Sequence, residues 1–300
     1  MNTDQNPPDI LYYYCPTEAF YNIIQFKSIW LYLLTLSNDS TEGRILKDFI
    51  EKKAKDSRMK KANQRGVEAA LKLQLEFKLA FGFCLTKESD SLPQWRMYAG
   101  NADGIAIGFN SSYFKKLIDG TRMTLNKVEY LDPKERSELL EDIWNSLRNS
   151  LNCSDSEPSS PKRSESHQAA FAALDTGFHV DGKFFGFKHV SFKQEAEWRL
   201  VRYELGYKDA KNEIGVKHSC RGGQIKPYLK VKLVPDDNPV TSECLDPKLG
   251  TFTWKDKSEG PIRSVTLGPN HRTPIAVIER FLDANGFAKV EVKESSIPYQ

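Results

Sequence analysis

The stretch EAEWRLVRYE (195–204) holds the residues whose types and spacing best suit chemistry. Glu195 and Glu197 stand two residues apart, and Arg199 follows at the same interval. On a strand, this spacing turns Glu195, Glu197 and Arg199 to one face and Ala196, Trp198 and Leu200 to the other. Two adjacent carboxylates repel, so one titrates higher unless a cation neutralises it, and Arg199 is spaced to do so. Such a pair suits cleavage of a glycosidic bond, where positive charge develops on a sugar ring. The same spacing also describes the solvated face of an edge strand, and spacing alone favours that plainer reading, with Trp198 as the core anchor.

Other common chemistries lack their motifs. Gly100, Gly104 and Gly108 are wrongly spaced for a dinucleotide-binding turn. A GxxxxGK[ST] phosphate loop, a GxSxG elbow and an HExxH pair are absent as well. The five cysteines include no CxxC, and their odd number argues against a disulfide framework. His218 and Cys220 lie close together, but two ligands do not make a zinc site, and they read as a loop histidine and a free thiol.

The elements that must position the glutamates follow from local patterns. LYYY (11–14), after Pro-Pro, reads as a first strand. TEAFYNIIQFK follows as a helix, with Thr17 as its N-cap and Phe20, Ile23 and Ile24 on a buried face. IWLYLL (29–34), FGFCLT (81–86), GIAIGF (104–109), MTLNKVEYL (123–131), QIKPYLKVKLV (224–234), PIRSVTLG (261–268) and AKVEVKES (288–295) read as strands. Helices are expected at 93–99, 111–118, 133–151 and 274–286, and 167–187 also reads as helical. Leu139, Ile143, Trp144 and Leu147 share one face of the 133–151 helix.

Residues 44–79 read as a basic helical insertion. Its segment KKAKDSRMKKANQR (52–65) is either a solvated face or a contact surface for phosphates or an acidic partner. CSDSEPSSPKRSES (153–166) is a polar loop, taken as an insertion within a single domain spanning 1–300, because neither half has enough strands to close its own sheet. Hydrophobic residues make up 39% and charged residues 28%, which allows a packed core and excludes wholesale disorder. The net charge of +3 does not mark a nucleic-acid binder by itself. The polar start of the chain and the lack of a long apolar run lead to the expectation of a cytoplasmic protein with no membrane contact.

Several separated segments together resemble a large bacterial family known only as a domain of unknown function. They are LYYYCPTEAFYNII, SNDSTEGR, FGFCLTKESDSLPQWRMYAGNADGIAIGFN, EAEWRLV and SVTLGPNHRTPIAVIERFLDANGFAKVEVKESSIPY. That family in turn resembles a divergent branch of the ADP-ribosyltransferase fold. The resemblance implies an α+β protein with a split β-sheet core and flanking helices. It implies NAD as substrate, no metal, and transfer of ADP-ribose to a nucleic acid or a protein. A toxin or anti-phage role, with an antitoxin as a further partner, is implied more loosely.

Carried over by position, the first-strand element falls on Tyr13 or Tyr14, with Tyr13 standing where that fold often has His. The second falls on Cys84 and Thr86, followed by Trp95 and Tyr98. The third falls on Glu197, which would hold the ribose 2′-hydroxyl, with Glu195 orienting or deprotonating the acceptor. Tyr98 would stack on nicotinamide, and Asn38 and Arg96 would contact adenosine or pyrophosphate. Each of these residues also has a plain structural role available: core aromatic, strand former, turn residue or surface cation. Two other outcomes stay open: a catalytically silent module that binds a nucleotide or partner, and an NAD glycohydrolase.

Overall fold

A computed structural model describes residues 6–36, 44–56, 61, 64, 67, 78–119, 123–153, 185–205, 215–221, 223–233, 241–242, 252–253, 260–287 and 289–299. The protein is α+β, as expected. Asn38, the loop 153–166 and most of the basic segment 52–65 lie outside the described residues.

The strands are β1 (Ile10–Cys15), β2 (Ser28–Leu33), β3 (Lys78–Thr86), β4 (Ile105–Asn110), β5 (Met123–Lys127), β6 (Glu129–Leu131), β7 (Phe187–His189), β8 (Glu197–Leu205), β9 (Val216–Arg221), β10 (Gln224–Lys232), β11 (Thr241–Ser242), β12 (Phe252–Thr253), β13 (Ile262–Leu267) and β14 (Glu291–Glu294). Helices are α1 (Thr17–Gln25), α2 (Arg44–Asp56), α3 (Leu92–Tyr98), α4 (Ser111–Asp119), α5 (Pro133–Cys153) and α6 (Ile275–Ala284). A ten-stranded sheet runs β14-β13-β4-β1-β3-β2-β10-β9, with β8 also paired to β3 and β5 outside β8. Only β13 and β14 pair in parallel, and α6 joins them.

One irregularity shapes everything near the glutamates. β8 takes one edge of β3 along all nine residues from Lys78 to Thr86. β1 and β2 therefore share the other edge. β1 touches it only at Tyr12↔Thr86, and β2 only at Tyr32↔Gly82 and Leu33↔Phe81. Phe83, Cys84 and Leu85 between these contacts pair with β8 alone. The sheet is splayed there, and β1 leaves to continue with β4 and β13 while β2 continues with β10 and β9.

Alternation along the strands assigns the two faces. Leu11, Cys15, Phe81, Phe83, Leu85, Ile105, Ile107, Phe109, Trp198 and Leu200 pack with Phe20, Ile23 and Ile24 of α1 and with α4 and α6 as the main core. On the other side, Ala80 and Val201 pack under Leu46, Ile50 and Ala54 of α2 and Leu140, Ile143, Trp144 and Leu147 of α5. Tyr14, Trp95, Ala99 and Ala106 form a smaller cluster under α3. No helix among the described residues is long and apolar enough to cross a membrane.

Four local expectations change. Pro16, not Thr17, occupies the N-cap of α1, and the Thr17 hydroxyl instead donates to the Asp103 carbonyl at 3.2 Å. MTLNKVEYL is not one strand: β5 pairs with β8, whereas β6 pairs with β7. His218 and Cys220 belong to β9, which pairs with β10 across a tight hairpin, not to a loop. The segments expected to be helical end early: Lys78 and Leu79 already belong to β3, and Phe187 belongs to β7.

Gly104 enters β4 where the backbone is too crowded for a side chain. A Cβ there would run into the carbonyl of Cys15 and lie 2.8 Å from the carbonyl oxygen of Ala99. Gly104→Ala is expected to destabilise the protein by about 1–3 kcal/mol or more, because rigid backbone has to shift. Urea unfolding of the variant against the native chain measures this.

Candidate active site

The carboxylate pair is built differently from a simple strand. Glu195 ends a 3-10 helix (Val190–Glu195), Ala196 is left-handed at φ 44° and ψ 46°, and β8 begins only at Glu197. Alternation on one strand therefore does not place both side chains. The left-handed residue turns the chain between them, and the two carboxylates meet again through a shared cation. Lys188 Nζ lies 2.8 Å from Glu195 Oε2 and 2.7 Å from Glu197 Oε2.

Arg199 completes the cluster. Its Nε donates to Glu197 Oε1 at 2.7 Å and its Nη2 to Glu197 Oε2 at 3.1 Å, the parallel two-bond pairing that guanidinium geometry allows. A third N–H, from Nη1, donates to the Phe185 carbonyl at 2.6 Å. Two anions and two cations thus cancel. Arg199 is 1% exposed and Glu197 5%, so this cancellation is what makes the burial tolerable. Burial by itself would raise the Glu197 carboxyl, but Arg199 and Lys188 outweigh it and hold the carboxyl down at about 2. For Lys188, burial disfavours the charged form, and the Glu197 and Glu195 carboxylates reverse that and raise it.

The two glutamates differ in what they have left to offer. Glu197 accepts two bonds from Arg199 and one from Lys188, and the Cys84 thiol across β3 donates a further one. A carboxylate has about four acceptor positions, so Glu197 is filled. Burial and the negative charge of Glu197 push the Cys84 thiol up, keeping it protonated as that donor. Glu195 accepts from the Tyr98 hydroxyl at 2.7 Å and from Lys188, which leaves acceptor positions for a ligand.

Both carboxylates line a cavity of about 490 Å³ that lies over the splay between β1 and β2. Its wall includes Tyr12, Tyr13 and Tyr14 from β1, Trp30 and Tyr32 from β2, Gly82–Thr86 of β3, and Gln94 and Tyr98 from α3. Glu197, Thr86 and Tyr12 stand directly opposite one another on three adjacent strands. Glu197 and Tyr13 line the same cleft, a condition that any joint role requires.

The other expected residues are distributed as follows. Tyr13 is half-buried, with its ring 4.3 Å from that of Phe83. Tyr14 is buried edge-on against Trp95, and its hydroxyl donates to the Glu88 carbonyl and accepts from the Ser91 N–H, both at 3.0 Å. It therefore acts mainly as a structural tie. Thr86 is buried, and its hydroxyl accepts from the Glu88 N–H at 3.2 Å. Tyr98 reaches the cavity, but its hydroxyl is committed to Glu195, and burial followed by that carboxylate raises its pKa. Trp95 is fully buried, as a core residue should be. Arg96 is exposed and is not part of the cavity wall.

Sequence reasoning missed Lys188 and Tyr130. Lys188 follows a stretch read as helical and belongs to no motif. The Tyr130 hydroxyl accepts from the Glu197 N–H at 2.8 Å, and burial pushes its own pKa up to about 12. Its place on a short strand beside Lys188 was hidden inside what looked like one continuous alternation. Among the described residues no group of three or more His, Cys, Asp or Glu side chains gathers as a metal site.

Residues 94–200 match the model of a family described as "Protein of unknown function (DUF2971)". The resemblance to a domain-of-unknown-function family is borne out over that stretch. It contains Gln94, Tyr98, Lys188, Glu195, Glu197 and Arg199, hence the charged end of the cavity. β1 and β2, which supply the aromatic walls, lie outside it. No curated protein and no solved structure matches the chain significantly.

Arg199→Met leaves a buried carboxylate without its main partner and is expected to cost about 3–5 kcal/mol near neutral pH. The folded Glu197 carboxyl sits at about 2, below its ordinary 4.5. Its contribution is present above 4.5 and is lost as pH falls toward 2. The gap between native and variant stability in urea should therefore shrink across that interval.

Proposed function

We propose that the protein is an NAD-consuming enzyme of the ADP-ribosyltransferase type that transfers ADP-ribose to a macromolecule. The observation that carries this reading is the carboxylate pair at one end of an aromatic-walled cavity over a splayed sheet. A volume of about 490 Å³ suits a nucleotide-sized ligand. The nicotinamide–ribose bond breaks with oxocarbenium character, so a fixed negative charge beside the ribose favours the transition state over the ground state.

Within this reading the two glutamates divide the work. Glu195 has acceptor positions open and receives a ribose or acceptor hydroxyl. Glu197, ionised at all physiological pH values, supplies negative potential and fixes Lys188 and Arg199. Aromatic faces from Tyr13, Trp30 and Tyr32 offer stacking surfaces for the planar rings of the cofactor.

A second reading is favoured by one observation: every acceptor position of Glu197 is already filled. A carboxylate so closed suits a module that keeps the cleft for binding and performs no chemistry. Tyr13, standing where the fold often has His, points the same way.

The chain incubated with NAD labelled in its adenylate moiety and with cell lysate separates these outcomes. The transferase reading expects label on a macromolecule and free nicotinamide, with both falling by about 100-fold or more in Glu195→Gln and Glu197→Gln. Free nicotinamide without transferred label means hydrolysis. NAD binding without turnover supports the silent module. Neither binding nor turnover by the folded chain rejects the NAD reading altogether.

A further inference from the structure

One face of β2, β10 and β9 continues the floor of the cavity outward. Directly opposed residues on antiparallel strands share a face. The pairs Tyr32↔Gly82, Tyr228↔Tyr32 and Tyr228↔Lys217 therefore extend the cavity's face across three more strands. Lys230↔Trp30 and Lys226↔Ser219 belong to the same face. It presents three aromatic rings, Trp30, Tyr32 and Tyr228, among the lysines Lys217, Lys226 and Lys230. The segments SIWLYL, VKHSCR and QIKPYLKVK contain no Asp or Glu.

The geometry of these groups suits flat, anionic ligands. Trp30 stacks on Tyr228 with ring centroids 4.1 Å apart and planes at 18°. Buried Tyr228 thus backs Trp30, which is half-exposed and holds a stacking platform rigid. Lys230 Nζ lies 5.8 Å over the ring of Phe26, which is 58% exposed. Lys226, Trp30 and Tyr32 also line the first cavity, so the face opens directly onto the carboxylates.

A second cavity of about 450 Å³ shares Tyr13, Trp30, Tyr32 and Phe83 with the first. It also contains Ser28, whose hydroxyl is buried without a hydrogen-bond partner, and Asn22. Glu18 is the acidic group at that cavity. Glu195 and Glu197, at the far end of the first, are already neutralised by Lys188 and Arg199.

We propose that this face binds a single-stranded nucleic acid. Unpaired bases stack on Trp30 and its neighbours, phosphates lie along Lys217, Lys226 and Lys230, and a base edge reaches the unsatisfied Ser28 hydroxyl. Aromatic rings interleaved with cations favour single strands, because bases inside a duplex have no free face to stack. The strand's role as the ADP-ribose acceptor rests on the transferase reading, whereas its binding does not.

The test is fluorescence anisotropy of labelled oligo(dT) and oligo(U) with the full chain and no NAD, against a duplex of equal length and poly-glutamate. Single strands of either sugar should bind at least tenfold more tightly than the duplex. Lys217→Glu combined with Lys230→Glu should weaken binding by 10- to 100-fold and reduce the salt slope by about 1, at about 0.7 per phosphate contact. Tryptophan fluorescence should be quenched on binding, and most of that quenching should vanish in Trp30→Phe, which keeps an aromatic ring. Equal binding of duplex, equal competition by poly-glutamate, indifference to the double charge reversal, or quenching that survives in Trp30→Phe would overturn the proposal. Strand binding without NAD turnover removes the transferase reading alone, and turnover without strand binding removes this one alone.

Discussion

Everything around the site depends on two cations holding two carboxylates inside the fold. Glu197 has almost no contact with water, and an isolated buried carboxylate would protonate or force the structure open. Arg199 prevents this through paired N–H bonds, and Lys188 bridges Glu197 to Glu195. The pieces come from distant parts of the chain: β7 supplies Lys188, the turn before β8 supplies Glu195, α3 supplies Tyr98, and β6 supplies Tyr130. The ionic cluster therefore also docks the β6–β7 pair and α3 onto the main sheet. Such clusters are stabilising only while complete, which makes this corner of the protein sensitive to any single loss.

The splay of the sheet provides the space that the cluster closes at one end. β3 has a single free edge, and β1 and β2 both compete for it. Their divergence leaves Phe83, Cys84 and Leu85 unpaired on that side, and the gap is walled by tyrosines and a tryptophan. An aromatic wall is a natural solution, because broad rings cover exposed backbone edges while leaving a cavity. The same divergence joins the carboxylate end of the cleft to the lysine-bearing face of β2, β10 and β9. Cofactor and acceptor surfaces thus become continuous parts of one sheet.

Much of this was legible in the sequence, for definite reasons. Strong alternation located β1, β2, β4, β10 and β13, and the 3.6-residue pattern located α1, α5 and α6. The i, i+2 spacing of Glu197 and Arg199 correctly predicted a neutralising pair, because both residues lie on β8. The extension of that logic to Glu195 failed at Ala196, whose left-handed backbone has no sequence mark, since alanine rarely adopts it. Lys188 was invisible because its role arises from long-range packing. The break between β5 and β6 was hidden because a continued alternation says nothing about which partner each half pairs with. The fit of Trp95 and Trp198 to the core shows where composition suffices: large aromatics beside strand ends with no polar demand beyond one N–H.

The central claim is that NAD occupies the cavity between the splayed strands, against the carboxylate pair. Cys84 lies on the floor of that cavity with its thiol directed at Glu197, so its access to a small alkylating reagent reports occupancy. Mass spectrometry of the Cys84 peptide after brief iodoacetamide treatment, with and without millimolar NAD, measures this. Marked protection of Cys84 by NAD is the predicted result, and equal labelling in both samples would contradict the account.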